Sequence, residues 1–289
     1  MDLFADMSNA TEAQVEALAE MLERRGQDSL QRTMLEDYIE RMPLRKGARV
    51  LEVGTGTGVV ARFIATLPDV SEVVGVDMEP RLLERAAALA AALAHVSFVL
   101  ADGRALHPFQ DATFDGVVFH TTLSHLPEPE GALAEAFRVL RPGGSLAIFD
   151  GDYAATRIGT DPCDPLQACI EAWKRSFVYD CQLFARLASL VSAAGFQELR
   201  QQGYVYTAEH NPTYLLNVFG RGVDALVQRE TIGEQLAGAL KAEATARLQR
   251  GAFFARLHYA SVIAQKPEKP SVGNTAAEER LGNAAFSVA

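Results

Sequence analysis

The sequence contains little that would cross-link the chain or attract nucleic acid. It has three cysteines among 289 residues, an odd number, at positions 163, 169 and 181. A metal site would need more ligands at tighter spacing, so we expect reduced thiols and no metal. The formal net charge of −10 leaves no excess of Lys and Arg to neutralise phosphates. This charge argues against nucleic acid as a partner.

Long apolar runs are also missing. The most apolar helical stretch, Ala86 to Ala94, has about half of the ~20 residues that a membrane span needs, so no span is predicted. The amino terminus, Met1 to Asp6, has neither a basic start nor an apolar run, so we expect no secretory signal and a cytoplasmic location. With 48% hydrophobic and 22% charged residues, the chain can bury a sizeable core.

Helical periodicity is clear in the first forty residues. Two amphipathic helices are predicted from apolar positions that recur at helical spacing: Val15, Leu18, Met21 and Leu22 in one, and Leu30, Met34, Leu35, Tyr38, Ile39 and Met42 in the other. Pro43 and Gly47 then break the pattern. We therefore expect residues 1–42 to form a helical lid ahead of the main domain.

Strands and helices alternate over the rest of the chain. Apolar strands are predicted at 49–53, 72–76, 95–100, 116–119, 145–150, 198–207 and 258–264, and a helical insertion at about 210–252 precedes the last strand. This alternation predicts an α/β fold with a seven-stranded, mostly parallel sheet covered by helices on both faces. The domain would span residues 43–266, and residues 267–289 would be a disordered tail.

A glycine-rich turn follows the first strand. Gly54, Gly56 and Gly58 allow a sharp bend and a close approach of the backbone to a ligand. In dinucleotide-binding enzymes the third glycine comes three residues after the second, where this chain has Val59. The chain therefore departs from the dinucleotide-binding pattern at this turn.

Carboxylates end three successive strands. Glu52 precedes the glycine turn, Asp77 closes the second strand, and Asp102 follows the third. A glycine turn alone is weak evidence, because a tight loop explains it equally well. Three acids at the carboxyl ends of neighbouring strands are harder to explain without a ligand, because ligands of open α/β sheets bind at that edge.

At these residues the sequence resembles the class I S-adenosylmethionine-dependent methyltransferases, which have a Rossmann-like fold. Within them it is most similar to the group that includes the ubiquinone- and menaquinone-biosynthesis enzymes. The resemblance covers Arg49 to Gly151 and includes Phe114 to Val118, Ser124 to Leu126 and the Arg141-Pro142-Gly143-Gly144 turn. It implies a methyltransferase with S-adenosylmethionine as cofactor.

The resemblance also implies which residues hold the methionine part of the cofactor. Glu52 would lie near its ammonium group, together with the glycine turn, Gly54, Thr55, Gly56 and Gly58. His120, just past the fourth strand, would lie near the sulfonium, although a loop or core role explains it equally well.

The nucleoside part has its own implied residues. Asp77 would bind the ribose hydroxyls, and Met78 would lie against the adenine face. Asp102 and the backbone of Gly103 would contact the adenine edge.

His125 is the candidate catalytic base, since imidazole titrates near neutral pH. A histidine at this place accompanies widely different substrates among similar sequences, so a positioning role is the stronger alternative. Asp150 and Asp152 face the same edge of the sheet, where either would orient a substrate or cap a loop.

The acceptor is predicted to be a small organic molecule, such as a secondary-metabolite intermediate. The chain lacks the Asn/Asp-Pro-Pro-aromatic segment of nucleic-acid amino methyltransferases and the paired-glutamate loop of protein arginine methyltransferases. Tyr214 and Phe219 in the helical insertion are candidate substrate contacts, with core packing or a homodimer contact as alternatives. Competing functions are a non-catalytic cofactor-binding protein and an enzyme that couples methylation to a reaction such as cyclisation.

Overall fold

The fold was analysed in a computed structural model that describes residues 10–268. Its strands are β1 (Ala48–Val53), β2 (Val70–Asp77), β3 (Val96–Leu100), β4 (Phe114–His120), β5 (Leu140–Ile158), β6 (Gln197–Thr207) and β7 (Ala255–Gln265). Its helices are α1 (Glu12–Gly26), α2 (Ser29–Glu40), α3 (Val59–Ile64), α4 (Pro80–Leu89), α5 (Pro129–Val139), α6 (Pro165–Phe177), α7 (Leu183–Ala193), α8 (Pro212–Gln228) and α9 (Glu234–Gln249). The predicted tail lies outside the described residues from position 269 onward.

The seven strands form one sheet in the order β3-β2-β1-β4-β5-β7-β6. The first five strands are parallel, and β7 runs antiparallel to both of its neighbours. Helices cover both faces, so the central strands read as continuous apolar runs; Val117, Val118 and Phe119 of β4 are all fully buried. The predicted α/β class and the mostly parallel seven-stranded sheet are confirmed.

Both predicted amino-terminal helices are present, each begun by a side-chain cap. Thr11 and Gln14 form a capping box at α1, with the backbone N–H of Thr11 donating to Gln14 Oε1 over 2.8 Å. Asp28 Oδ1 accepts from the N–H groups of Leu30 and Gln31 at the start of α2, both over 3.0 Å. Thr11 and Asp28 thus fix the first residues of α1 and α2. Their role as a lid stays a prediction.

The fifth strand is longer than expected. We predicted residues 145–150, whereas β5 extends to Ile158. The extension forms because β7 continues to pair with Gly151 and Asp152 and, after a bulge, with Arg157 and Ile158. The segment beyond Asp150 is not apolar, so only the partner strand reveals it.

Helix α6 was not predicted at all, although its start carries a recognisable signal. Asp164 Oδ1 accepts from the N–H of Leu166 over 3.0 Å, and Pro165 occupies the first turn. The helix matters because the helical insertion packs on it.

The helical insertion forms as predicted, but as two helices with a break near Glu230, whose φ of 54° stops α8. The sequence places Ile232, Leu236, Leu240, Ala244 and Leu248 at helical spacing, but Leu236 of α9 is 51% exposed and so does not belong to a buried apolar stripe. The helix instead buries Ala237 and Ala244, because small side chains allow it to approach its neighbours closely. Within residues 10–268 no helix is long and apolar enough to cross a membrane.

Helix α8 crosses α6 at a glycine. A Cβ atom at Gly222 would overlap the carbonyl oxygen of Cys169, which is backbone and cannot move aside cheaply. Gly220, two residues earlier in the same helix, has no atom within 4 Å of its Cβ position. Substitutions at Gly220 and Gly222 can therefore distinguish the effect of close packing from the effect of helix propensity.

We expect Gly222→Ala to lower the free energy of unfolding by about 1–3 kcal/mol, the usual cost of overpacking. Gly220→Ala should raise it by about 0.5–1 kcal/mol, because alanine loses less backbone entropy in a helix. Urea unfolding of both variants checks this. Equal effects at the two positions would contradict the close crossing.

Candidate functional site

The glycine turn between β1 and α3 adopts the left-handed backbone that its sequence allows. Gly54, Gly56 and Gly58 have φ angles of 74°, 54° and 75°. The N–H groups of Gly54 and Thr55 both donate to the carbonyl of Val76, over 2.8 and 2.9 Å. The turn is therefore fixed to the end of β2 as well as to its own strand.

Glu52 lies beneath this turn rather than on an open surface. Its side chain is only 2% exposed, and it accepts a 2.6 Å hydrogen bond from Thr55 Oγ1. Burial raises the pKa of Glu52 to about 8, and the Thr55 hydroxyl opposes the shift. Glu52 is not among the residues that line the cavity described below, so it supports the turn from inside.

Asp77 ends β2 and faces the open edge of the sheet. Its Oδ2 accepts from the N–H of Gly56 over 2.8 Å, and its Oδ1 accepts from the N–H of Glu79 over 3.1 Å. Burial raises the pKa of Asp77 above its usual value, and these backbone hydrogen bonds oppose the shift. Asp77 lines the cavity together with Met78, whose side chain is largely exposed.

Asp102 and Gly103, although adjacent in the chain, have different surroundings in the structure. The Asp102 carboxylate pairs with Arg104, whose Nη2 lies 2.7 Å from Oδ2, and this contact lowers the pKa of Asp102. Gly103 lines the cavity, whereas Asp102 does not. A Cβ at Gly103 would lie 2.5 Å from Val53 Cγ1, so only glycine fits there.

These elements enclose a cavity of about 160 Å³, called here the cofactor cavity. It is lined by Gly54, Thr55, Gly56 and Thr57 of the glycine turn, but not by Gly58, whose Cβ position lies 2.7 Å from the Phe98 ring. The other lining residues include Asp77, Met78, Gly103, His120 and His125, and residues of the amino-terminal helices, among them Leu18, Leu22, Arg25, Gln31 and Leu35. Arg62 of α3 holds α1 over it, with a 2.8 Å ion pair to Glu23. Sequence reasoning predicted the sheet side of this cavity and missed the helix side.

Arg25 and Gln31 are the polar groups that were missed. Gln31 is 5% exposed, and neither its amide oxygen nor its amide nitrogen has a hydrogen-bond partner in the described part of the chain. Thr57 Oγ1 on the opposite wall is likewise buried without a partner. A signal existed in the sequence, since Arg25 and Gln31 continue the apolar faces of their helices at helical spacing.

His120 is held as a neutral imidazole. Tyr38 is fully buried, and its hydroxyl lies 2.9 Å from His120 Nδ1, which is the single partner that the described residues provide. If the phenol donates its proton, Nδ1 is the acceptor and the hydrogen of the neutral ring is on Nε2. Burial keeps the pKa of His120 well below its usual value, and the charge of Arg25 adds to this effect.

His125 follows β4 in a loop that Asp150 fixes. Asp150 is fully buried and accepts from Ser124 twice, over 3.0 Å from its N–H and 2.7 Å from its hydroxyl. Burial raises the pKa of Asp150, and His125 opposes the shift through its charge. Asp150 therefore acts as the loop cap that was one of its two predicted roles.

A second cavity, of about 930 Å³, adjoins the first and is called here the acceptor cavity. It lies between α1, α6, α8 and α9, and Leu18, Arg25 and His125 line both cavities. Tyr214 and Phe219 both line the acceptor cavity, but Phe219 is only 1% exposed and also belongs to the core. The structure thus brings the predicted substrate residues beside the predicted cofactor residues.

Comparison with known proteins agrees with this geometry. A family model described as a methyltransferase domain matches residues 51–148. The 27-O-demethylrifamycin SV methyltransferase of Amycolatopsis mediterranei is 41% identical over 122 residues, which cover 41% of this chain and 44% of that protein. The demethylmenaquinone methyltransferase of Thermus thermophilus is 39% identical over 103 residues, which cover 35% of this chain and 46% of that protein.

Residues 51–148 thus belong to a methyltransferase domain, which lies within the seven-stranded sheet described above. The matches of the chain span about half the length of these curated relatives. The structure of phosphoethanolamine N-methyltransferase 2 from Haemonchus contortus, in complex with S-adenosyl-L-methionine, superposes with a TM-score of 0.55 at 20% identity. That superposition covers 82% of this chain and 53% of the other, and it shows a shared fold.

S-adenosylmethionine is the cofactor of such methyltransferase domains, and the cavity presents polar groups of the kind it requires. These include a carboxylate at Asp77 and an exposed thioether at Met78. The cavity also contains the unpartnered polar atoms of Gln31 and Thr57, which a polar ligand would satisfy.

We expect Asp77→Ala to weaken binding of the demethylated cofactor by about 1–3 kcal/mol, because ribose hydroxyls would lose their acceptor. Asp69→Ala is the matched control, since Asp69 is exposed just before the opposite end of β2. Isothermal titration calorimetry measures both. Unchanged affinity in Asp77→Ala, or tighter binding of NAD than of the demethylated cofactor, would refute the assignment.

Proposed function

We propose that this protein transfers a methyl group from S-adenosylmethionine to a small organic molecule held in the acceptor cavity. The proposal rests on one observation, the common wall of Leu18, Arg25 and His125 between the two cavities. Methyl transfer is an in-line displacement that requires two aligned and desolvated ligands more than it requires proton transfer. Two adjoining cavities favour that alignment.

The nucleoside end of the cofactor is assigned to residues at the ends of β2 and β3. Asp77 accepts from the ribose hydroxyls, Met78 lies against the adenine face, and the backbone of Gly103 meets the adenine edge. Asp102 is engaged with Arg104, yet a carboxylate has about four acceptor positions. It can therefore still accept a hydrogen bond from an adenine amino group.

The methionine end is assigned to the glycine turn and to His120. Gly54, Thr55 and Gly56 lie around it, Gly58 and Glu52 support the turn, and His120 offers its imidazole ring. When bound there, the cofactor supplies a methyl group carried on a sulfonium sulfur.

A small acceptor fits the rest of the chain. The acidic charge and the three thiols favour a cytoplasmic protein that acts on a metabolite rather than on nucleic acid. The curated relatives named above are a demethylrifamycin and a demethylmenaquinone methyltransferase, both named for small molecules. Helix α1 and the α8–α9 insertion would close over this acceptor as its lid.

Incubation with methyl-labelled S-adenosylmethionine and fractionated metabolite extracts tests the proposal. Label should move to a small molecule, and Tyr214→Ala should reduce transfer about tenfold or more through misplacement of the acceptor, with cofactor affinity unchanged. Phe219→Leu is preferable to Phe219→Ala, because truncating a buried Phe costs about 3–5 kcal/mol of stability.

Tyr179→Ala serves as the control, since Tyr179 is exposed and lines neither cavity. Cofactor binding without transfer to any fraction would point to a non-catalytic binding protein. A rearranged product would point to a coupled reaction. Parallel loss of transfer and thermal stability in Tyr214→Ala would show that the residue is structural.

For His125 we expect a positioning role. His125→Ala should reduce turnover by less than about 10²-fold and leave the shape of the pH–rate profile unchanged, because displacement at a methyl group needs little base catalysis. Turnover measured from pH 5.5 to 9 decides. A loss of about 10²–10⁴-fold together with loss of an inflection would instead identify a general base.

A further inference from the structure

The acceptor cavity has an aromatic wall. Its large rings are Tyr153, Trp173, Phe177, Tyr214, Phe219 and Tyr259. Trp173, the single tryptophan of the sequence, is 7% exposed, and its Nε1–H has no hydrogen-bond partner within residues 10–268. Planar apolar ligands pack well on such rings, which indicates an aromatic or similarly flat occupant.

The lining of the acceptor cavity contains more cations than acids, although the chain has a net charge of −10. Its cations are Arg24, Arg25, Arg221 and Lys241, and its acids are Asp28 and Asp224. Lys241 lies 2.6 Å from Asp224, and Arg24 lies 3.7 Å from Glu20 of the same helix, so each of these two cations has an acid beside it. Asp28 accepts from Tyr206 and Asn211 over 2.6 and 2.8 Å, so its carboxylate is already engaged.

Arg25 is the cation at the junction of the two cavities. Its Nη2 donates to Thr121 Oγ1 over 2.9 Å, and no carboxylate of residues 10–268 lies within 4 Å of its guanidinium. The side chain is half-buried, where an uncompensated charge is costly. The charge of Arg25 acts on groups of both cavities. In the acceptor cavity, burial raises the pKa of Tyr153 and Tyr259, and Arg25 opposes this rise. In the cofactor cavity, burial lowers the pKa of His120, and Arg25 lowers it further.

We propose that the methyl acceptor is a flat aromatic molecule that carries an acid group, and that Arg25 binds this group at the junction. The inference rests on the function proposed above. A guanidinium and a carboxylate form short, charge-assisted hydrogen bonds, which would compensate the charge of Arg25. A sulfonium on the other side of the junction adds a second positive charge, so an anionic acceptor is favoured over a neutral one.

The cofactor also has a carboxylate, so the test separates the two sources of negative charge. The probes are biphenyl-4-carboxylate and biphenyl-4-carboxamide, which have nearly the same shape and differ in charge. Each is titrated in the presence of saturating demethylated cofactor, with Trp173 fluorescence, excited at the red edge of its absorption, as the readout. No methyl transfer is involved, so a failed transfer assay and a failed binding assay are distinguishable.

We expect the wild-type protein to bind the carboxylate about tenfold or more tightly than the amide. Arg25→Gln should abolish this preference by weakening carboxylate binding to the level of the amide, and its affinity for the demethylated cofactor is measured in parallel. Arg25→Lys should retain part of the preference, since it keeps the charge and loses the planar fork. Arg85→Gln, an exposed site on α4 that lines neither cavity, controls for net charge.

Two results would overturn the proposal. The first is equal binding of the two probes by the wild-type protein, including failure of both to bind. The second is a preference that survives in Arg25→Gln while affinity for the demethylated cofactor falls about tenfold. The second result would show that Arg25 binds the carboxylate of the cofactor and not that of the acceptor.

Discussion

The position of the glycine turn depends on the last two residues of β2. Three consecutive N–H groups of the turn are bound there: those of Gly54 and Thr55 by the carbonyl of Val76, and that of Gly56 by Asp77 Oδ2. Because β1 and β2 pair in register up to Val76, the turn and the ribose-binding candidate Asp77 move as one unit. A shift of that register would misplace both halves of the cofactor cavity together.

This arrangement leaves buried polar groups without hydrogen-bond partners in the described part of the chain. Gln31 and Thr57 have buried polar atoms without partners among the described residues, and each such atom costs about 1–3 kcal/mol. Thr121, next to the candidate His120, has a φ of 52° in the left-handed region. Unsatisfied groups and strained backbone concentrate at binding sites, where a bound molecule offsets their cost.

The two cavities come from different parts of the chain. The parallel core supplies one wall of the cofactor cavity, and α6, α8 and α9 supply most of the acceptor cavity. Helix α1 joins them, since Leu18 and Arg25 line both. The ion pair between Glu23 and Arg62 and the packing of Leu18 beside Leu82 hold α1 in place. Cofactor chemistry and acceptor choice therefore meet on a helix outside the sheet.

The sequence by itself determined the order of the strands along the chain, the glycine turn, and the carboxylates that end β1 and β2 and follow β3. These features depend on local periodicity and spacing, which a sequence displays directly. Only the tertiary structure decided which groups face the cavities. Glu52 lies beneath the turn and binds Thr55, and Asp102 pairs with Arg104, so neither lines the cofactor cavity.

Arg25 and Gln31 entered the site, and the unpredicted α6 formed the surface on which the helical insertion packs. Such outcomes depend on contacts between residues far apart in the chain. A side chain's partner is set by how whole elements pack, and the local pattern around one residue does not contain that information.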